Sequence, residues 1–318
     1  MPYRLRSTTV KETVEVTPGL SGAVRERRAG NIDVWGSAQA QSERWNTTRD
    51  WRAWLVLPAF LLLLVVFCYP VGKLLLRSFS YPHWGFQNFH TIATQPVFFS
   101  ALKNTVIISG SVTILCLLCG YPLAYSIARA QGWMRRLLIF AVLIPFWSSI
   151  LVRTFGWLVL LQQRGLINRS LMNFGITDAP ITMVHSRIGV LVGMVHILLP
   201  FMVLPLYAVM LRINPTYTQA AASLGATPVR NFWRVYLPLS WPGVVNGTVL
   251  VFVSGLGYFI TPALLGGAGD TMIAQLIEIQ VADFGQWGIA GALALVLLFG
   301  VGVTFALLFR TGIQTARR

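Results

Sequence analysis

The sequence has few acidic residues and little charge of either sign for its length. Of 318 residues only 10 are Asp or Glu, and just 11% are charged. Together with 55% hydrophobic residues, this scarcity excludes an ordinary soluble domain and predicts a polytopic membrane protein. The net charge of +15 would favour nucleic acid as the partner of a soluble protein. In a membrane protein it reflects basic cytoplasmic loops instead, so we expect membrane lipid and no nucleic acid.

Cysteine is also scarce, and no nucleotide-binding loop is present. Cys68, Cys116 and Cys119 lie inside apolar runs, so we expect them to pack rather than to form disulfides or a zinc site. The sequence contains no G-x-x-x-x-G-K-[ST], the loop that cradles ATP phosphates. We therefore predict no metal, no cofactor and no catalytic residue in this chain.

Six apolar stretches are long enough to cross a bilayer, which takes about 20 residues. They cover residues 54–72, 105–128, 137–161, 188–211, 239–265 and 284–309. We predict an all-α membrane protein with six transmembrane helices within residues 54–310. Residues 1–53 are polar and lack the apolar core of a signal peptide. They are predicted to be a disordered basic cytoplasmic tail, and residues 311–318 a second cytoplasmic tail.

The distribution of basic residues predicts the orientation. With the N-terminus inside, residues 1–53, 129–136, 212–234 and 310–318 are cytoplasmic and contain 18 of the 25 Lys and Arg residues. The acidic residues that follow the N-terminal tail all fall on the other side of the membrane. This bias predicts that both termini are cytoplasmic.

A polar, alanine-rich segment interrupts the apolar spans between the fourth and fifth. It reads NPTYTQAAASLGATPVRNFWRVYLPLSWPGV and covers residues 214–244. Asn214-Pro215 is a helix cap followed by proline at the first helical position, and Gly225 suits a helix C-terminus. We predict a short helix over residues 215–224. The small side chains on it would let another backbone approach closely.

A second short helix is predicted to follow the glycine. Thr227-Pro228 repeats the cap-and-proline pattern. Leu237-Pro238 is predicted to end this helix, and the next span would begin near residue 240. The bare first helix favours docking to a cytoplasmic partner. The alternative is an interfacial helix lying on the membrane, which would show larger apolar residues on one face.

The same segment resembles the cytoplasmic "EAA" loop of bacterial ABC importer permeases. Gln219-Ala220-Ala221, then Gly225, then Val235-Tyr236-Leu237-Pro238 follow that family's spacing throughout. "TPALLGG" (residues 261–267) and "DTMIAQLIEIQ" (residues 270–280) resemble the spermidine/putrescine-type permeases of this superfamily. The resemblance covers roughly residues 54–310.

The resemblance implies a fold, partners and a mechanism. The fold is that of a type I ABC importer permease, with a cytoplasmic coupling helix, in the bacterial inner membrane. A cytoplasmic ATPase dimer would bind ATP and Mg. A second, non-identical permease and a periplasmic or extracellular substrate-binding protein would complete an alternating-access importer. By their match to the motif, the residues that the resemblance implies for coupling to the ATPase are Gln219, Ala220, Ala221, Gly225, Leu237 and Pro238.

Two positions depart from the family pattern. Gln219 replaces the usual Glu, so a charge-assisted contact with a basic partner is lost. Ala263 stands where an acid is expected in polyamine permeases, and residues 235–269 contain no carboxylate. We hypothesise that the cargo is a zwitterionic or anionic small organic compound, such as an amino-acid derivative or opine, rather than a simple polyamine.

Candidate pathway residues are sparse. Arg153 is the one charge near the centre of a predicted span, where charge is costly and usually functional. It contacts an anionic cargo group or partner helix in one interpretation; it snorkels or pairs with a carbonyl in the other. Trp147, Trp157 and Tyr258 offer stacking surface or pack as interface aromatics.

The predicted outer loop, residues 266–287, contains Asp270, Glu278 and Asp283 around a short apolar helix. The resemblance implies contact with the substrate-binding protein there, and a helix on the lipid surface is the alternative.

Two other functional classes fit less well. A stand-alone secondary carrier would show inverted repeats or intramembrane carboxylates, and neither is visible. An intramembrane serine protease at Ser254 would need a G-x-S-G context, which Phe252 breaks, and His196 has no companion at a matching depth.

Overall fold

The computed structural model describes residues 57–81 and 83–316, with side chains described up to residue 306. The predicted N-terminal tail, residues 1–53, lies outside the described residues, as do residues 317–318. The chain divides into two units, residues 1–63 and 64–318. In the first unit the described residues 57–63 are helical, and the site discussed below belongs to the second.

The described residues form helices joined by short turns and contain no strand. Helices α1 to α6 are Leu57–Ser80, Gln87–Thr94, Pro96–Arg129, Gly132–Leu143, Ile150–Leu161 and Leu166–Asn173. Helices α7 to α12 are Arg187–Met210, Pro215–Ser223, Pro228–Leu256, Ile260–Leu265, Ile273–Ala282 and Trp287–Ala316. Two 3₁₀ turns, Ile144–Trp147 and Ala268–Asp270, lie between them.

Five helices of the described chain are long and apolar enough to cross a membrane: α1, α3, α7, α9 and α12. A sixth span exists if the bent pair Gly132–Trp147 and Ile150–Asn173 counts as one. The all-helical prediction is confirmed for the described residues, which contain five or six candidate spans.

The predicted third span, residues 137–161, is not one straight helix. The chain bends by 101° between Trp147 and Ile150. Pro145 lies in the 3₁₀ turn that ends the first half. Proline has no N–H to donate and its ring clashes with the preceding turn, so the helix breaks here. Arg153 is therefore near the start of a new helix.

The helix that contains most of the predicted fifth span, residues 239–265, starts earlier and ends sooner than that span. Helix α9 begins at Pro228, passes Pro238 without ending, and stops at Leu256. A π-helical turn over Phe232–Tyr236 precedes Pro238. The wider π turn makes room for a proline ring that a regular α-helical turn would exclude. The predicted stop at Leu237-Pro238 is thus a local widening within one helix.

Helices α3, α7 and α9 pack together around the main core, which includes Ile108, Val112, Met194, Met202 and Val251. Glycines on α9 permit the close crossing with α7. A Cβ at Gly243 would lie 3.1 Å from the Cα of Leu206, and one at Gly247 would lie 2.7 Å from the sulfur of Met202. Small residues at helix crossings are a common means of packing in membranes, where backbones must approach closely.

We expect Gly243→Leu to lower the free energy of unfolding by about 1–3 kcal/mol, because the larger side chain forces α7 and α9 apart. Gly110→Leu is the control, since a Cβ at helical Gly110 has no neighbour within 4 Å. Thermal unfolding of the two purified variants in detergent measures the difference. Equal losses would contradict the close crossing.

Candidate functional site

Helix α8 is capped at both ends by its own sequence. The Asn214 side chain accepts the N–H of Thr216 at 3.0 Å. At the other end Gly225 adopts a φ of +80°. The N–H of Ala226 donates to the carbonyl of Ala221 at 3.0 Å, and that of Gly225 to Ala222 at 2.9 Å. This pair of bonds is a Schellman motif. The predicted helix is confirmed, ending one residue earlier than expected.

The surface of α8 is open. None of its side chains is buried, and Gln219 and Ala220 are both exposed. Leu224, directly after the helix, has 88% of its surface exposed. A Cβ at Gly225 would meet nothing within 4 Å. We call residues 214–231 the coupling hairpin; its first arm is a narrow, capped rod with free space around its C-terminal end.

The two arms of the coupling hairpin are tied together. Asn231, in the first turn of α9, donates its side-chain N–H to the carbonyl of Thr218 at 2.9 Å. Thr227 caps the start of α9 by accepting the N–H of Arg230. Helix α8 is thus tied to the first turn of the long apolar helix α9. The motif residues Leu237 and Pro238 lie within α9, beyond the hairpin.

Four aromatic side chains connect α9 to α3; we call Tyr121, Tyr125, Phe232 and Tyr236 the aromatic cluster. The ring of Phe232 meets those of Tyr121 and Tyr125 edge-on, at centroid distances of 5.8 and 6.0 Å. Tyr125 and Tyr236 are 5.0 Å apart. Such edge-to-face pairs add stability beyond the burial of their area.

Polar contacts fix the same junction. The Tyr121 hydroxyl and the Ser240 hydroxyl are 2.9 Å apart, and the Arg129 guanidinium lies 4.4 Å from the centroid of Tyr125. The sequence interpretation missed this cluster. Its signal is two aromatic pairs at i, i+4 spacing, on the predicted cytoplasmic ends of two different helices.

A second site lies at the break between α4 and α5. A cavity of about 340 Å³ is lined there by Arg153, Ser254, Tyr258, Phe146 and Phe201, among others. We call it the central cavity. The structure therefore brings together two of the four residues predicted along the pathway, Arg153 and Tyr258.

The two predicted pathway tryptophans have other surroundings. Trp147 is exposed and its ring packs against Phe140 at 6.1 Å. Trp157 donates its indole N–H to Nδ1 of His196 at 3.1 Å. His196 thus has a defined partner within the fold, and neither tryptophan lines the central cavity.

The predicted outer loop is held by a network of polar contacts that includes Arg187 and Asp270. Arg187 forms a 2.9 Å ion pair with Asp270 and donates to the side chain of Asn104 at 3.1 Å. Asn104 donates in turn to the carbonyl of Gly269 at 2.6 Å. Asp270 is buried and serves this internal contact. Glu278 and Asp283 are exposed, so they remain the candidates for contact with a binding protein.

The sequence matches known transport proteins. Residues 113–317 match the family described as "Binding-protein-dependent transport system inner membrane component". The spermidine/putrescine transport system permease protein PotB of Haemophilus influenzae is 36% identical over 219 residues, which cover 69% of this chain and 75% of that protein. PotB of Escherichia coli is 32% identical over 221 residues, 70% of this chain and 80% of its own.

Solved structures of ABC transporters share the fold. A bacterial transporter for import of the acidic polysaccharide alginate matches with a TM-score of 0.66 and 23% identity, over 86% of this chain and 99% of its own. A bacterial alginate transporter in complex with an alginate pentasaccharide-bound periplasmic protein matches with a TM-score of 0.64 and 22% identity. The match covers 83% of this chain and 93% of its own. An inward-facing MetNI methionine transporter matches with a TM-score of 0.54 and 16% identity, over 70% of this chain and 99% of its own.

We expect Asp270→Asn to lower the free energy of unfolding by about 1 kcal/mol, because it weakens a charge-assisted bond whose arginine is partly exposed. Glu278→Gln removes the same charge from an exposed site and should leave unfolding unchanged. Thermal unfolding of both variants in detergent measures this. If Glu278→Gln is equally destabilised, the ion pair between Arg187 and Asp270 is not the source of the lost stability.

Proposed function

The chain belongs to the family of binding-protein-dependent transport system inner membrane components and is a permease subunit of an ABC importer, and on that basis we propose that α8 is its coupling helix. The observation that carries this proposal is the exposed, doubly capped rod Pro215–Ser223 tied to the long helix α9. A short helix capped at both ends would move as a rigid body and pass its displacement to α9. Gln219, Ala220, Ala221 and Gly225 would form the surface that enters the ATPase.

The proposed assembly follows from the family and from the charge distribution. Both termini would face the cytoplasm of a bacterial cell, because this orientation puts 18 of the 25 basic residues on the cytoplasmic side of the inner membrane. A cytoplasmic ATPase dimer would bind ATP and Mg. A second, non-identical permease would complete the pathway, and a periplasmic binding protein would deliver the cargo near Glu278 and Asp283. This chain would itself catalyse no reaction.

The proposed mechanism is alternating access driven through the aromatic cluster. ATP closes the nucleotide-binding dimer and displaces α8. Because Asn231 ties α8 to α9, the displacement reaches Phe232 and Tyr236. These rings bear on Tyr121 and Tyr125 of α3, so α3 and α9 would move together. The cargo is a small organic solute, as in the relatives named for spermidine and putrescine.

We expect Gly225→Trp to reduce uptake roughly tenfold or more, which corresponds to an increase of about 1.4 kcal/mol or more in the activation free energy of transport. The bulky side chain would keep α8 out of the ATPase cleft, while the ATPase continues to hydrolyse ATP. Solute uptake and ATP hydrolysis are measured in the same proteoliposomes, prepared with the complete transporter.

Gly175→Trp is a closely matched control. Gly175 ends α6 in the same Schellman motif, with a φ of +67° and open space around it. The conformational strain of the two substitutions is therefore alike, but residue 175 lies on the predicted outer side. Normal uptake by Gly225→Trp, or an equal loss in Gly175→Trp, contradicts the coupling role.

We expect Phe232→Ala to lower the uptake obtained per ATP hydrolysed several-fold, because the cluster loses its central ring and about 0.5–1.5 kcal/mol per aromatic pair. Trp133→Ala, at a 70% exposed aromatic in the first turn of α4, should leave this ratio unchanged. The two rates are measured in parallel for each variant. An unchanged ratio in Phe232→Ala would show that the cluster does not transmit the movement.

A further inference from the structure

Arg153 stands out among the residues of the central cavity because no opposite charge pairs with it in the part of the chain that the structure describes. It is the one charged residue in the described lining of this cavity. Its Nε atom is buried and has no hydrogen-bond partner in the described part of the chain. An unsatisfied donor of this kind is costly, more so when it belongs to a charged group. The position therefore favours an acceptor that arrives during function.

The backbone adds positive potential at the same place. Helix α5 begins at Ile150, which lines the cavity, and Arg153 lies in its first turn. The free N–H groups of a helix N-terminus have a partial positive charge, so a cation there is unfavourable unless an anion joins it. In transporters with broken helices, such N-termini point at anionic substrate groups.

No carboxylate of the described spans can balance this charge. The acidic residues between positions 57 and 316 are Asp178, Asp270, Glu278 and Asp283, and all lie outside the candidate spans. A polycation in the central cavity would thus meet a cation and a helix N-terminus from this chain. Repulsion in a low-dielectric site argues against a polyamine as the cargo.

The remaining walls suit a small organic molecule. Phe146 and Phe201 pack edge-on with ring centroids 5.3 Å apart, while Ser254 and Tyr258 add hydroxyl groups to the lining. A volume of about 340 Å³ is in the range of small-molecule sites, which combine apolar walls with a few polar groups.

We infer that the central cavity binds the carboxylate of the transported solute, a zwitterionic or anionic small organic compound, with the Arg153 guanidinium and the N-terminus of α5 as its cationic partners. This inference rests on the proposed importer function. It assigns the cargo class by the charge of the site, and it departs from the relatives whose names specify spermidine and putrescine.

Charge-selective thiol labelling tests the inference without knowledge of the cargo. Ser254→Cys places a thiol on the cavity wall, in a background where Cys68, Cys116 and Cys119 are replaced by alanine. The intact transporter complex is treated with anionic sulfonatoethyl or cationic trimethylammonium-ethyl methanethiosulfonate. In either case the thiolate attacks the reagent sulfur, a mixed disulfide forms, and methanesulfinate leaves.

The measured quantity is the rate of labelling by the anionic reagent divided by the rate of labelling by the cationic reagent. This ratio is divided by the ratio measured for the free thiol 2-mercaptoethanol, which corrects for the intrinsic reactivity of the two reagents. Because thiolate formation affects both reagents equally, the ratio reports the local potential. We expect a preference of about tenfold for the anionic reagent. Arg153→Gln should abolish it and Arg153→Lys should retain it. Ser100→Cys, at an exposed serine near the start of α3, should not respond to either Arg153 variant.

Three results would overturn the inference. Each can be obtained from the Ser254→Cys protein with Arg153 intact, so the test does not depend on whether Arg153→Gln assembles. A cationic preference or no preference means that the second permease supplies a carboxylate to Arg153. A thiol that reacts with neither reagent means that the cavity is sealed or filled by lipid. ATP hydrolysis in the same sample separates the two claims: a complex that hydrolyses ATP with binding-protein stimulation, but lacks anionic preference, leaves the importer function intact.

Discussion

Backbone hydrogen bonding in a medium without water is the constraint on which this structure depends. A backbone group released from a helix inside a bilayer must find a partner in the protein or line a cavity. The chain meets this constraint with long helices, and it departs from them at a few places only. The break after Trp147, the π turn at Phe232–Tyr236 and the stop after Leu256 are such places. The two proposed functions, cargo binding and coupling, are located at these interruptions.

The interruptions are joined by rigid elements. The close crossing of α7 and α9, which Gly243 and Gly247 allow, fixes α9 in the core. The aromatic cluster then fixes its predicted cytoplasmic end to α3. Through Asn231 the coupling hairpin is attached to the same helix, and Ser254 at its other end lines the central cavity. Helix α9 therefore runs from the coupling hairpin to the cavity, and in the proposed mechanism it would carry the movement of the ATPase to the cargo.

Helix caps and turns made by adjacent residues could be predicted from the sequence. Bends between helices and contacts between residues far apart in the chain could not. Asn214-Pro215 and Gly225 have caps and turns encoded by adjacent residues, so α8 was predicted within one residue. The apolar run around Pro145 has the composition of one span, and composition does not reveal a 101° bend. Asp270 looked like a surface acid because its partner, Arg187, is 83 residues away. The aromatic cluster likewise joins residues from α3 and α9.

The measurement that tests the coupling account most directly is cross-linking from the tip of the coupling hairpin in native membranes. A photo-reactive amino acid replaces Leu224, which follows α8 and is 88% exposed, and in a control it replaces Phe174, which follows α6 and is 81% exposed. We predict a cross-link from residue 224 to a P-loop ATPase that changes in yield with ATP, and none from residue 174. Cross-links from residue 224 to lipid alone would instead identify α8 as an interfacial helix and contradict the account.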